Sequence, residues 1–345
     1  MQRHLRTLVV LSLGAGLVAL FLRQVDLATV GREIKNAQPL WLGLSLASMY
    51  LNLAIRSMRW QYLLAPMGRV RFRNAFRATT VGFGARGVLP SAIGELVRPY
   101  FLSRHEPISA ASGFATIVVE RILDLLTILM MLAAFVFIFG RELAAANPAG
   151  YSALQWTAGT AGIAALVALA FLFALAGRPH LLLPFVRRIE SLLPARLAGV
   201  LEALAHKFVI GLSAIGTARR LLAAFAWSVP LWLCIGFGVW GVTEAFRLNI
   251  PFTGSFLLIA FLTIGITVPT PGAVGGFHEA FRLGATQFFA APEGAAVGAA
   301  IVLHAISIGS SLILGLIFAA QAGLNLSAMR ELVTAAESGE ATSLP

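Results

Sequence analysis

The sequence predicts an all-α membrane protein, a polytopic helical bundle of about six full spans plus two opposed re-entrant or broken helical elements arranged as an inverted repeat. Three observations carry that prediction. Of 345 residues, 58% are hydrophobic and 12% charged, about half the charged fraction of ordinary soluble domains. Several runs reach the roughly twenty mostly apolar residues that a bilayer-spanning helix requires. Two further apolar regions are interrupted by Gly and Pro beside charged residues. A soluble globular fold is thereby excluded. The +11 charge, 26 Lys+Arg against 15 Asp+Glu, fits basic loops that fix orientation in a membrane, so nucleic acid is not an expected partner. A single cysteine, Cys234, excludes a disulfide framework or a cysteine metal cluster within one chain, and neither a cofactor nor a metal is expected.

The first span is Leu5 to Leu22, which has a basic start but no small-x-small cleavage site and is read as a retained helix. Leu27, Val30 and Ile34 recur at helical spacing among Arg32, Glu33 and Lys35, so Asp26 to Gln38 is expected to lie along the interface. The remaining spans are Pro39 to Leu64, Pro107 to Gly140, Thr157 to Ala176, Leu221 to Phe246 and Ala295 to Gln321. One domain covers residues 1–325, and a short polar tail covers 326–345. Trp41, Trp60, Trp156 and Trp227 lie near segment ends and read as interface anchors.

Arginines sort the loops. The connection holding Arg56, Arg59, Arg69, Arg71, Arg73 and Arg77 contains no acid, and the stretch from Arg178 to Arg220 is also basic; both are expected in the cytoplasm. The connections near Arg141 and Glu142, and near Arg247, are nearly neutral and should face outward. Both termini are then cytoplasmic, provided that Ala75 to Leu102 and Thr253 to Phe289 each enter and leave by one face. These two regions rhyme: Leu89-Pro90 through Gly94-Glu95 in the first, Pro269-Thr270-Pro271-Gly272 through Gly275 and Glu279 in the second. Broken helices in corresponding positions of two halves point to a transporter with its site near the midplane. The alternative is that Pro and Gly merely kink ordinary spans.

Within the third expected span, Glu120, Arg121 and Asp124 sit mid-segment. Each charge at a helix centre costs about 2.5 to 3.5 kcal/mol on insertion scales, which excludes lipid exposure and requires a further cation, expected from Arg98 or Arg86. Glu95 and Arg98, like Glu279 and Arg282, are three residues apart and on one helical face. Arg86, Arg98, Arg121 and Arg282 balance Glu95, Glu120, Asp124 and Glu279, and these eight are the candidate substrate-binding residues. They read either as ion pairs that lock packing or as arginines, aided by helix N-termini, that hold an anionic head group. His278 and Glu279 do not open a zinc protease motif, because Arg282 occupies the second His position. His304 reads as an interhelical hydrogen-bonding residue, and the chain has no P-loop, Gly-x-Gly-x-x-Gly or Gly-x-Ser-x-Gly motif.

Leu89-Pro90 through Gly94-Glu95 and Arg98, Val119-Glu120-Arg121-Ile122-Leu123-Asp124, and Pro269-Thr270-Pro271-Gly272 through Gly275 and Glu279 together resemble the lysylphosphatidylglycerol synthase transmembrane-region family. This is the flippase-like domain also found in the multiple peptide resistance factor, and the resemblance covers roughly residues 5 to 325. It implies a bacterial inner-membrane protein that moves a lipid or lipid-linked head group between leaflets, its two re-entrant elements meeting at a central cavity. The sequence departs from the family at Ala92, often basic, at Ala273, usually glycine, and in having no soluble aminoacyl-transferase domain after Gln321. The expected function is therefore a non-enzymatic, flippase-like transporter of an anionic or phosphate-bearing lipid, with Arg86 and Arg98 at the phosphate. The expected partners are that lipid and either a second copy or a membrane enzyme. The alternatives are an intramembrane lipid-modifying enzyme with Glu120 or Glu279 as base, and a non-catalytic partner in lipid or cell-envelope glycan assembly.

Overall fold

The computed structural model describes residues 26–87, 91–140, 148–175, 217–268 and 270–323, with single positions at Val186, Arg188, Gly199 and Val209. The expected first span Leu5 to Leu22, the Arg141–Glu142 connection, most of the basic stretch after Arg178, Pro90, Pro269 and the polar tail lie outside the described residues, as do the side chains of Ala92 and Glu95.

All described elements are helical. They are α1 (Leu27–Asn36), α2 (Pro39–Leu64), α3 (Phe72–Ala85), α4 (Ser91–Ser103), α5 (Ala110–Ala134), α6 (Pro148–Leu175), α7 (Ala218–Ala226), α8 (Ser228–Ala245), α9 (Gly254–Gly265), α10 (Gly276–Phe289), α11 (Glu293–His304) and α12 (Ser310–Gln321). A π-helical turn, Phe135–Phe139, extends α5, and another, Ala305–Gly309, joins α11 to α12 into one rod. Among the described residues four rods are long and apolar enough to cross a membrane: Ala110–Ile138, Tyr151–Leu175, Ala218–Ala245 and Glu293–Gln321. Trp156, Ile163 and Ile313 on these rods, and Ile264 on α9, are exposed, as a lipid-facing surface requires.

Local sequence explains the starts of these helices. Asp26 caps α1 by accepting the Ala28 N–H at 3.0 Å and the Thr29 hydroxyl at 2.5 Å. Val30 is buried in a small cluster with Val297 of α11, so the amphipathic helix docks its apolar stripe on protein. Pro39 opens α2 at the position where a missing N–H costs nothing. Ser109 and Thr217 cap α5 and α7 in the same way as Asp26.

The α2 helix has the length of a span, 26 residues, but carries a buried polar stripe: Ser45, Ser48, Asn52, Arg56 and Arg59 at three- and four-residue spacing. That stripe faces α8. Ser45 donates to the Gly238 carbonyl, Ser48 to the Cys234 carbonyl and Asn52 to the Leu231 carbonyl, at 2.7, 2.6 and 3.2 Å. Rising numbers on α2 meet falling numbers on α8, so the two helices are antiparallel. The α3/α4 hairpin leaves from the end of α2 and the α9/α10 hairpin from the end of α8, and they therefore enter the bundle from opposite faces.

Each hairpin closes through glycine. A Cβ on Gly265 would collide with Gly276 where α9 crosses α10. The tips then meet in the interior: a Cβ on Gly272 would lie 3.2 Å from the Gly87 carbonyl oxygen. Gly272 and Gly275 hold φ of 62° and 90°, and Ala273 between them holds 57°, which makes the tip a run of left-handed backbone that glycine accepts and alanine tolerates at a cost. The layout is a repeat: amphipathic helix, long helix, re-entrant hairpin and π-interrupted span in α1–α5, and again in α7–α12, running in the opposite sense. The α6 rod packs outside, against α5, with Gly162 under Ala133.

Two expectations are corrected here. Trp60 is not an interface anchor: it is fully buried and donates from Nε1 to the Thr116 hydroxyl at 3.0 Å. Arg56 and Arg59 do not belong to a cytoplasmic connection. They are interior residues of α2, 3% and 0% exposed, because their side of the helix turns inward to the Glu120 and Asp124 carboxylates.

Candidate functional site

The charged cluster forms where α2, α4 and α5 converge. Glu120 and Asp124, one turn apart on α5, present their carboxylates on a common face. Arg59 donates to Asp124 Oδ1 at 2.7 Å and to the Ser228 hydroxyl at 2.8 Å. Arg56 reaches Asp124 Oδ2 at 3.0 Å and Glu120 Oε1 at 3.4 Å. Arg98 of α4 donates to Glu120 Oε1 at 3.0 Å while its guanidinium stacks 3.8 Å above the Trp60 ring, a cation–π contact in a dry setting. Arg121 donates to Glu120 Oε1 at 2.7 Å and lies 3.0 Å from Asp124 Oδ2. Trp232 of α8 adds an indole N–H to Asp124 Oδ1 at 3.2 Å.

Four guanidinium groups thus surround two carboxylates, a surplus of two positive charges among the described side chains (4 − 2). The sequence alone leads one to expect a neutral set. That expectation fails because Arg56 and Arg59 enter the cluster; Glu279 and Arg282 stand elsewhere and leave the balance unchanged. Arg282 pairs with Glu279 at 2.6 Å and Glu293 at 2.8 Å, on the half-exposed outer part of the second hairpin. Glu279 therefore opens α10, as expected, but it pairs with Arg282, which Glu293 shares, away from the central cluster.

A cavity of about 340 Å³ lies against this cluster. It is lined by the charged Arg56, Arg86, Arg121 and Asp124, by the polar Asn52, Thr263, Ser307 and Ser311 with Trp232, and by apolar side chains that include Leu125, Ile128, Ile259, Leu262, Phe277 and Leu303. Both hairpins reach it, the first through Phe83 and Arg86, the second through Gly272 and Ala273. Arg56 and Arg86 flank the Phe83 ring at 4.9 and 5.1 Å. Arg59, Arg98 and Glu120 are not among the lining residues. They are enclosed behind it at 0–2% exposure, whereas the Arg121 side chain is 36% exposed. Of the eight candidates, then, the structure brings Arg98, Glu120, Arg121 and Asp124 into one cluster, adds Arg86 at the cavity wall, and sets Glu279 and Arg282 apart; the Glu95 side chain lies outside the described residues.

On the far wall, His304 Nε2 meets the Gly272 carbonyl at 2.7 Å, an inter-element bond that ties the second tip to the α11–α12 rod at its π-helical turn. The His278 ring lies 4.7 Å from that of His304, and its Nδ1 accepts the Gly275 N–H at 3.3 Å, capping α10. Arg56 and Arg59 are the site residues that sequence reasoning missed. Their signal was the polar stripe from Ser45 to Arg59, whose spacing places all five residues on one side of one helix.

A family model described as the lysylphosphatidylglycerol synthase TM region matches residues 7–315. The UPF0104 membrane protein MJ1595 of Methanocaldococcus jannaschii is 31% identical over 103 residues, 29% of this chain and 31% of that protein. A protein named glycosyltransferase AglD, from Haloferax volcanii, is 28% identical over 113 residues, 32% of this chain and 18% of its own length. The chain thus spans less than a third of the length of either relative.

Proposed function

Because this chain belongs to the lysylphosphatidylglycerol synthase TM-region family, we propose that it is a flippase-like transporter that carries an anionic or phosphate-bearing lipid head group between leaflets. One observation carries the reading: the cavity reached by two opposed re-entrant tips is lined by three arginines and otherwise mostly by apolar side chains. A head group shelters at the arginines while its chains stay among aliphatic side chains or in lipid. Non-helical backbone at membrane depth is tolerated where it lines such a cavity, and opposed repeats allow one half to rock against the other around a fixed site.

The site residues divide by role. Arg56, Arg86 and Arg121 face the head group; Arg59 and Arg98 hold Asp124 and Glu120 from behind. The face bearing Arg69, Arg71, Arg73 and Arg77 is the cytoplasmic side of a bacterial inner membrane, with both termini on it, in keeping with the positive-inside rule.

The match to a protein named as a glycosyltransferase favours one second reading, a membrane partner in glycan or lipid assembly. Use of Glu120 as a catalytic base is disfavoured by its surroundings: the side chain is fully buried behind the cavity lining, and Oε1 lies within 2.7–3.4 Å of four guanidinium groups. Proteoliposomes containing a head-group-labelled anionic lipid test the proposal. The fraction of label reached by a membrane-impermeant reductant should rise above one half with the protein present, and Arg121→Gln should slow this severalfold. No movement of any anionic lipid by folded protein would reject transport and favour the partner reading.

A further inference from the structure

We infer that the cavity selects a terminal phosphate, a phosphomonoester dianion carried on a lipid, over a phosphodiester or zwitterionic head group. The inference rests on the transport reading for the movement of the bound lipid, but the selection itself stands on charge and position alone.

The four clustered arginines fall into two pairs. Arg59 and Arg98 are enclosed, 0% and 2% exposed, and each is committed to a carboxylate, Arg59 to Asp124 at 2.7 Å and Arg98 to Glu120 at 3.0 Å. Arg56 and Arg121 touch the same acids from the side of the cavity, Arg56 at 3.0 Å from Asp124 and Arg121 at 2.7 Å from Glu120, and both line it. The surplus of two positive charges belongs to the cluster as a whole, and Arg56 and Arg121 are the guanidinium groups through which a ligand meets it. Arg86 lines the same wall.

A surplus of two in a low-dielectric cavity ranks ligands. A dianion cancels it; a phosphodiester leaves one charge uncompensated, and a zwitterion leaves two. A phosphomonoester has a second pKa of about 6 and carries close to two charges above neutral pH. The aliphatic lining from α5, α9 and α11 commits the source to a lipid and not to free phosphate. The titratable and charged groups facing the site are Arg56 on α2, Arg86 on α3, Arg121 and Asp124 on α5, and, across Phe277, His278 on α10 and His304 on α11. Described α8 and α9 side chains lining the cavity, among them Trp232, Ile259 and Leu262, carry no charge.

Detergent-solubilised full-length protein holding a fluorescent phosphatidylglycerol is titrated with phosphatidate, unlabelled phosphatidylglycerol or inorganic phosphate, at pH 5 and pH 8. Phosphatidate should displace the probe about tenfold more tightly than phosphatidylglycerol at pH 8. That advantage should largely vanish at pH 5, where only about one monoester in ten keeps its second charge. Phosphatidylglycerol serves as the control for any titration of the two histidines, which both lipids share. Arg121→Gln, which removes one surplus charge at a part-exposed position, should abolish the preference while phosphatidylglycerol still binds. Arg56→Gln is informative only where the variant folds, and Arg121→Gln therefore carries the test.

Equal displacement by the two lipids at both pH values overturns the inference. Displacement by inorganic phosphate at the same concentration as phosphatidate overturns the lipid assignment. The same lipids in the liposome assay separate the two levels: movement without the binding preference removes this inference and leaves transport standing, whereas the preference without movement does the reverse.

Discussion

Neutralising Glu120 gives the sharpest test of the charged cluster. Its Oε1 accepts or faces Arg121 at 2.7 Å, Arg98 at 3.0 Å, and Arg56 and Arg59 at 3.4 Å, with the carboxylate fully buried. Glu120→Gln keeps the shape and raises the surplus among the described groups from two to three (4 − 1). Removing one partner from a buried ion pair typically costs about 3–5 kcal/mol, because the remaining charge stays desolvated and uncompensated. Arg98→Met removes a charge from the same group and fills the space over Trp60 with an apolar side chain. In the double variant three arginines face one acid, and the surplus returns to two. The double variant should therefore be less destabilised than the sum of the singles by about 2 kcal/mol, within the range seen for residues in direct contact. Reversible unfolding in mixed micelles of increasing sodium dodecyl sulfate, followed by tryptophan fluorescence, measures all four corners of the cycle. A cost below about 1 kcal/mol for Glu120→Gln would refute the burial argument, and additivity within about 0.5 kcal/mol would refute direct pairing with Arg98.

The geometry sets four further outcomes. Gly84→Ala places a Cβ 2.7 Å from the Ser311 carbonyl oxygen, backbone that cannot step aside, so it should destabilise by about 1–3 kcal/mol in the same unfolding assay. His304→Ala leaves the Gly272 carbonyl without its 2.7 Å partner and should cost about 1–3 kcal/mol, whereas His304→Gln, which keeps a donor, should recover part of the loss. Ala290 ends α10 in the left-handed region at φ 50° and is exposed, so Ala290→Gly should raise stability by about 0.5–1 kcal/mol. At the interface helix, the Thr29 hydroxyl and the Ala28 amide hold the Asp26 carboxyl below its ordinary value. Its capping contribution is present above the unfolded carboxylate range and is lost as pH falls through the lowered folded value; hydrogen exchange at Ala28 should accelerate there, and an unchanged rate would remove Asp26 as the cap.

Much of this arrangement is legible in the sequence, for identifiable reasons. The interruptions around Gly87 and Pro271 announce breaks because glycine and proline act on the backbone locally, with no need of a partner. The opposed entry of the hairpins comes from counting charges in loops. What the sequence hides is the destination of Arg56 and Arg59. At the end of an apolar run, an arginine that snorkels to the surface and one that turns inward share the same composition. Only the three- and four-residue register with Ser45, Ser48 and Asn52 separates the two cases, and that register becomes meaningful once α8 is known to face it. The separation of Glu279 and Arg282 from the central acids is hidden for a related reason. Phe277, His278, Phe281 and Ala285 take the buried side of the fourteen-residue α10, which leaves Glu279 and Arg282, three residues apart, together on its more exposed side.

The distribution of hydrogen bonds bears on which parts can move. Along the seam between α2 and α8 the repeats are joined repeatedly: Ser45, Ser48 and Asn52 bond to α8 carbonyls, Arg59 to Ser228, and Trp232 to Asp124. Breaking those contacts together in an apolar interior would leave several polar groups unsatisfied, each at about 1–3 kcal/mol. Where the two hairpin tips meet, at Gly87 and Gly272, the described contact is a close approach of backbone, whereas α3 and α12, which touch at Gly84 and Gly315, are also tied by the hydrogen bond from Arg77 to Gln321. Sliding at the tip contact forfeits dispersion energy, contact by contact. Under the transport reading, the seam is therefore the axis and the tips are the gate. The charged cluster, anchored to the seam through Arg59 and Trp232, stays fixed while access to it changes.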